Sequence, residues 1–276
     1  MLHDFKRHVG PVTSLLTYAF DTDTGESEQL LLSAGEDRRL MLYSLSRDAF
    51  IEAFHNPLVS KDAELAADAA ITDMDLCLTR GEFAYASEDK LCYVRKLSDC
   101  AVGMTLSMVL IGHSAAIWSV KWNEHCGVWV TGSEDRSMRL WSPDQPICLQ
   151  IISLGSPVTA IGTDMLNGCV IAGTSIAEVK VVDISLPNNA EVIRKMTGHS
   201  EGIHVIVHIP DRRQYLTASS DGTIKVWPAY LKANQRRWLH RPTHGEALAG
   251  ANRRFTLEAS ANSDEVGFSS VSHFLV

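Results

Sequence analysis

Four stretches of the chain can be laid over one another: SAGEDRRLMLYSL (33–45), YASEDKLCYVRKL (85–97), TGSEDRSMRLWSP (131–143) and TASSDGTIKVWPA (217–229). Each carries a turn aspartate, Asp37, Asp89, Asp135 or Asp221, followed six residues later by Tyr43, Arg95, Trp141 or Trp227. Two weaker copies extend the series. AGTSIAEVKVVDI has Ile176 for the aspartate and Val182 for the aromatic, and SANSDEVGFSSV keeps Asp264 but runs short afterwards. A second landmark keeps the same phase: His8, His113, His199 and His244 each stand four residues before an aliphatic one. Two landmarks sharing one period constrain the chain more than any composition figure.

From Asp37 to Asp264 the copies recur about every 45 residues, the length of one propeller blade. Between the landmarks lie short apolar runs such as VTSLLTY, QLLLSAG, IWSVKW and VWVTGS, separated by turns rich in Gly, Asp, Asn, Ser and Pro. These read as strands of five to seven residues, apolar on both faces, as expected for sheets packed between other sheets. Trp122 and Trp129 read as core between blades. Residues 57–70, which include SKDAELAADAA, break the pattern and read as an inserted loop.

The repeats resemble those of the WD-repeat β-propeller family, with its Gly-His dipeptide, turn Asp and closing aromatic. The family's Trp-Asp dipeptide itself is absent; the corresponding pairs are YS, RK, WS, VD and WP. The resemblance implies an all-β fold, a single propeller over 1–276 built of four-stranded antiparallel blades. Six repeats are expected, at 7–54, 66–111, 112–152, 153–196, 197–241 and a degenerate 242–276, with residues 1–6 as a closing strand; a shortened seven-blade ring is the alternative. It also implies a buried tetrad in the best repeats: His113, Ser133, Asp135 and Trp141, and again His199, Ser219, Asp221 and Trp227. In such a tetrad the indole donates to the hydroxyl, the hydroxyl to the imidazole and the imidazole to the carboxylate, so every polar group is paired. A Ser-His-Asp hydrolase would need an exposed serine beside an oxyanion hole, and no G-x-S-x-G elbow occurs. The three residues therefore read as structural, with no catalytic residue.

No Walker motif, G-x-G-x-x-G, His-Glu-x-x-His or deaminase signature appears, so no enzyme, cofactor or metal site is expected. The six cysteines are scattered without a C-x-x-C pair, which gives no disulfide or zinc framework. The charged N-terminus and the lack of a long apolar run suggest no signal peptide or membrane span, and place the chain in cytoplasm or nucleus. A net charge of -8 argues against nucleic acid as a direct ligand. The pairs Arg236-Arg237 and Arg253-Arg254 keep an RNA-associated assembly factor as one alternative.

The rigid blades of the implied fold leave function to their loops. The recurrent ED(R/K) turns offer Glu36, Arg38, Glu88, Lys90, Glu134 and Arg136 as partner-binding candidates on one face. Trp118 and His204 join them, because they replace Thr13, Thr72 and Thr159 five residues beyond the motif histidine. The expected function is a protein-protein interaction scaffold in a multisubunit assembly, binding through this face and the rim. A ubiquitin-ligase substrate receptor is a further alternative, although WSPD, WPAY and VDIS lack the docking arginine that some family members use.

Overall fold

A computed structural model describes residues 7–21, 27–45, 49–51, 65–97, 104–186 and 188–230. They form nineteen strands in five antiparallel sheets. The first blade holds β1 to β4 (Val12–Asp21, Ser27–Gly35, Leu40–Ser44, Ala49–Ile51). The second holds β5 to β8 (Ile71–Cys77, Glu82–Ser87, Leu91–Leu97, Met104–Ile111), and the third β9 to β12 (Ile117–Asn123, Val128–Ser133, Ser137–Trp141, Cys148–Ser153). The fourth holds β13 to β16 (Val158–Asp164, Cys169–Thr174, Glu178–Asp183, Glu191–Thr197). The fifth has three strands among the described residues, β17 to β19 (Ile203–Ile209, Gln214–Ser219, Ile224–Pro228).

The expected count of six repeats, and the seven-blade alternative, are thereby corrected to five blades among the described residues. Each of the five contains an inner strand ahead of its turn and a strand after it. The weak copy around Asp264 supplied the sixth count from an aspartate alone; it lies outside the described residues, as do residues 1–6. Of the insertion expected at 57–70, only residues 65–70 are described. Ala66 and Ala67 there are buried against the first two blades, and the Tyr85 hydroxyl donates to the Ala66 carbonyl at 2.7 Å.

Blades pack face on face, and each seam is an apolar cluster. Leu32, Leu40 and Leu42 of the first blade meet Ile71, Met74 and Phe83 of the second. Val130, Met138 and Leu140 of the third meet Val158, Ile161 and Val170 of the fourth. Trp122 and Trp129 lie in the seam between the second and third blades, with ring centroids 4.9 Å apart. Burying a side chain of this size contributes about 1.5–3 kcal/mol, and close packing leaves little slack. A Cβ at Gly132 would meet Val158 Cγ1 at 2.6 Å.

The seams also carry polar stitches. Asp73 of β5 accepts from the Ser119 hydroxyl (2.7 Å), the Val120 amide (3.1 Å) and the Lys121 ammonium (2.8 Å) of β9. The Ser119 oxygen in turn accepts the Ile161 amide of β13 at 3.2 Å. Burial works against the Lys121 charge, but the carboxylates of Asp73 and Asp75 outweigh it and hold its pKa above the usual lysine value.

Candidate functional site

The serine, aspartate and histidine of the third blade are close together, but they are not wired as a hydrolase. Trp141 Nε1 donates to Thr131 Oγ1 at 2.8 Å, and Thr131 Oγ1 lies 2.7 Å from His113 Nε2. His113 Nδ1 is 2.7 Å from Asp135 Oδ2. If the imidazole carries its proton on Nδ1, every donor in this chain meets an acceptor. The fifth blade repeats it through Trp227, Thr217, His199 and Asp221, each step at 2.8 Å.

The hydroxyl in the middle is therefore Thr131 or Thr217, not the expected Ser133 or Ser219. Ser133 sits at the strand end, opposite Ile117, where its hydroxyl donates to the Ala116 carbonyl at 2.8 Å and accepts the Asp135 amide at 3.1 Å. Ser219 does the same with the Glu201 carbonyl and the Asp221 amide. Ser133 is buried and committed to the turn, so it has no nucleophile's geometry. In the first blade the equivalent contacts run from His8 to Ser33 (2.8 Å) and to Asp37 (2.9 Å).

Burial pushes the His113 pKa below its ordinary value, against the pull of Asp135, which keeps the ring neutral near pH 7. Asp135 is raised by its burial, but hydrogen bonds from Ser137, His113 and the Ser114 amide outweigh that and bring it down to about 2. Among the described residues no group of three His, Cys, Asp or Glu side chains is placed to hold a metal.

The accessible chemistry lies at the blade tips. Glu36, Arg38, Glu88, Lys90, Glu134 and Arg136 are all exposed, and occupy the same turn of three successive blades. Arg38, Lys90 and Arg136 have φ of 66°, 74° and 69°, in the left-handed region that glycine occupies most easily. Gly222 holds that position in the fifth blade, at φ 74°. Each turn is closed by an amide to carbonyl bond, as from Arg136 to Ser133 at 3.2 Å, and by the aspartate accepting the amide two residues on, as from Ser137 at 2.9 Å.

Trp118 and His204 are explained by a feature that sequence reading missed. Every inner strand has a register shift at its second residue: Thr13, Thr72, Trp118, Thr159 and His204. Such a bulge re-aims one side chain. The three threonines use it to donate to the first carbonyl of the next blade's inner strand, Ile71 (2.6 Å), Ile117 (2.7 Å) and Ile203 (2.5 Å). Trp118 makes no such stitch and is 37 % exposed; His204 is exposed and bonds the Ser220 hydroxyl. Both stand at the end of the strand beside the aspartate turns, which brings them to the same face as the charged tips.

The family model described as "WD domain, G-beta repeat" matches residues 104–142 and 190–228. Each match begins with the outer strand of one blade and continues through three strands of the next. Among curated proteins, a subunit of target of rapamycin complex 1 from Schizosaccharomyces pombe is 28 % identical over 45 % of this chain and 10 % of its own length. A pre-mRNA-processing factor of Saccharomyces cerevisiae is 22 % identical over 42 % of this chain and 26 % of its own length. A ribosome biogenesis protein, the WDR12 homolog of Nematostella vectensis, is 24 % identical over 46 % of this chain and 30 % of its own length. The chain thus matches under a third of the length of these relatives. No helix among the described residues is long and apolar enough to cross a membrane. With two repeats matched by sequence, and five sheets among the described residues of which three carry the histidine-aspartate contact, the chain carries WD repeats within a β-propeller architecture.

Proposed function

We propose that the chain is a non-enzymatic scaffold that binds other proteins within a multisubunit assembly, through the face carrying the aspartate turns. The observation that carries this reading is the row of Arg38, Lys90 and Arg136, exposed beside Glu36, Glu88 and Glu134 at the same turn of three adjacent blades. The exposed glutamates beside them and the exposed indole of Trp118 give both signs of charge around an aromatic anchor. Charges in a fixed pattern select a partner of opposite pattern, and aromatics carry much of the energy at interfaces.

Relatives named as a complex subunit and as processing and biogenesis factors support an assembly role. The same names suit work in the cytoplasm or nucleus. The test is the triple substitution Arg38→Glu, Lys90→Glu and Arg136→Glu in the full chain, read by quantitative mass spectrometry of co-purified proteins. The expected result is at least tenfold loss of specific partners with the thermal melt unchanged; an unaltered partner set overturns the reading. Labelling of Ser133 by a fluorophosphonate on the folded protein would contradict its non-enzymatic part.

A further inference from the structure

At the foot of the seam between the fourth and fifth blades, on the face opposite the aspartate turns, a carboxylate and an imidazole are buried together. Asp164, the last residue of β13, is wholly buried, and the side chain of His208 on β17 is 2 % exposed. His208 Nδ1 lies 3.7 Å from Asp164 Oδ1. The corresponding positions of the other seams hold Tyr18 and Leu76, Cys77 and Trp122, and Asn123 and Thr163. Among the described residues an imidazole therefore meets a carboxylate at this height in one seam alone.

The pair holds the turn between β13 and β14 by its amides. The Met165 N–H donates to His208 Nδ1 at 3.2 Å, and the Leu166 N–H to Asp164 Oδ1 at 2.8 Å. A backbone N–H can only donate, so Nδ1 is the acceptor and the neutral ring carries its proton on Nε2. That Nε2 is buried and has no hydrogen-bond partner among the described residues. The second carboxylate oxygen is already taken, since the Asn167 side-chain amide (3.0 Å) and the Tyr215 hydroxyl (2.7 Å) donate to Oδ2. Asp164 is the charged group that acts on the ring. From β18 the titratable neighbour is Tyr215, its ring centroid 5.4 Å from the imidazole, with Cys169 of β14 beside it.

We propose that His208 is a proton-operated latch on the Met165–Leu166 turn. The neutral ring accepts the Met165 amide. A further proton from solvent can enter the ring only at Nδ1, where N–H would then face N–H, and the nearest carboxylate oxygen is Asp164 Oδ1. The imidazolium turns to that oxygen, gives up the Met165 amide to water, and competes for the acceptor that holds Leu166. Both Met165 and Leu166 are exposed, so acid frees an apolar tip that neutral pH keeps ordered. Burial disfavours the charged ring more than Asp164 favours it, which sets the His208 pKa below the ordinary 6.5. The unfolded chain therefore takes up the proton first as pH falls, and the latch supports the fold fully above about pH 6.5 and loses that support below it. None of the turn-face residues takes part, so the latch stands apart from the scaffold reading.

The test is solution NMR of the nitrogen-15-labelled full chain, with the His208 ring nitrogens and the backbone amides followed from pH 8 to pH 5. At pH 8 the ring should show its proton on Nε2. As the ring titrates, with a midpoint below pH 6.5, exchange of the Met165 amide, corrected for intrinsic rate, should quicken about tenfold at the same midpoint. The Gly81 amide, which closes the corresponding turn of the second blade without a histidine, should change by less than about twofold. Asp164→Asn, the side chain that Asn123 supplies in the third blade, should lower the ring's midpoint and carry the quickening down with it. His208→Gln should abolish the pH step. A proton on Nδ1 at pH 8, a ring that titrates while the Met165 amide exchanges unchanged, or a pH step that survives in His208→Gln overturns the proposal. The first two outcomes are read on the unsubstituted chain, so they decide even where a variant fails to fold.

Discussion

The third and fourth blades have closely similar strand lengths and pairing, yet fill the same positions with opposite chemistry. His113, Thr131, Asp135 and Trp141 form a connected polar chain, whereas Leu154, Ala172, Ile176 and Val182 take their places in the fourth. Leu154, Ala172 and Val182 are buried in the apolar cluster of the seam, and Ile176, which has lost any histidine to bond, stands exposed in the turn. A blade is therefore made by apolar burial and strand pairing. The polar chain is an addition whose net contribution is modest per bond, about 1 kcal/mol, but whose members are expensive to strand singly.

The strongest way to break this comparison is at the closing position. Trp141→Ala removes a fully buried indole and unpairs Thr131, and should cost about 3–5 kcal/mol in urea unfolding, against a clearly smaller loss for Val182→Ala. Equal losses would mean that the two blades are held alike. Next in size is Thr131→Val, which leaves the indole N–H and the imidazole nitrogen without partners, at about 1–3 kcal/mol for each stranded group. Ser133→Ala should lower the melting temperature less, and the reverse order would return the serine to the tetrad.

Acid should sharpen the contrast further. Burial lowers the His113 pKa, so below about pH 6.5 the unfolded chain takes up a proton that the folded blade resists, and stability falls from there downward. Asp135, depressed to about 2, keeps its contribution down to the ordinary carboxylate value of 3.8 and loses it between the two. Hydrogen exchange, corrected for intrinsic rate, should therefore quicken between pH 7 and pH 5 in Val128–Ser133 more than in Cys169–Thr174. The smallest effect belongs to the turns. Arg136→Gly relieves the left-handed backbone and should gain about 0.5 kcal/mol, while weakening partner capture; a loss of stability would show that the arginine side chain holds the turn.

Spacing made the blades legible because a buried sheet must repeat its strand and turn at fixed distance, and the turn aspartates of the first, second, third and fifth blades kept that distance, with Ile176 holding the place in the fourth. It misled where one residue stood for a whole repeat, as at Asp264. The tetrad was legible in three members and not in the fourth. TGS and TAS each put two hydroxyls two residues apart on one strand, and only the cross-strand register decides that the indole reaches the threonine. The stitch of Asp73 to Ser119 and Lys121 gave no signal at all, because it joins residues more than forty apart that become neighbours only when two inner strands face each other. Trp118 and His204 could be seen to differ from threonine, but the bulge that turns them outward exists only in the paired sheet.

The threonine hooks at the inner strands have a consequence for how such a chain can change. Thr13, Thr72 and Thr159 hang from backbone carbonyls, so at three of the four seams the distance between neighbouring blades at the inner strands is gauged by main chain and one short side chain, not by what fills the seam farther out. A hub gauged this way tolerates substitution along its spokes: Tyr85 or Ala172 can stand where Thr131 does without altering the radius at the centre. Drift can rewrite the interior of one blade while its neighbours keep their seats.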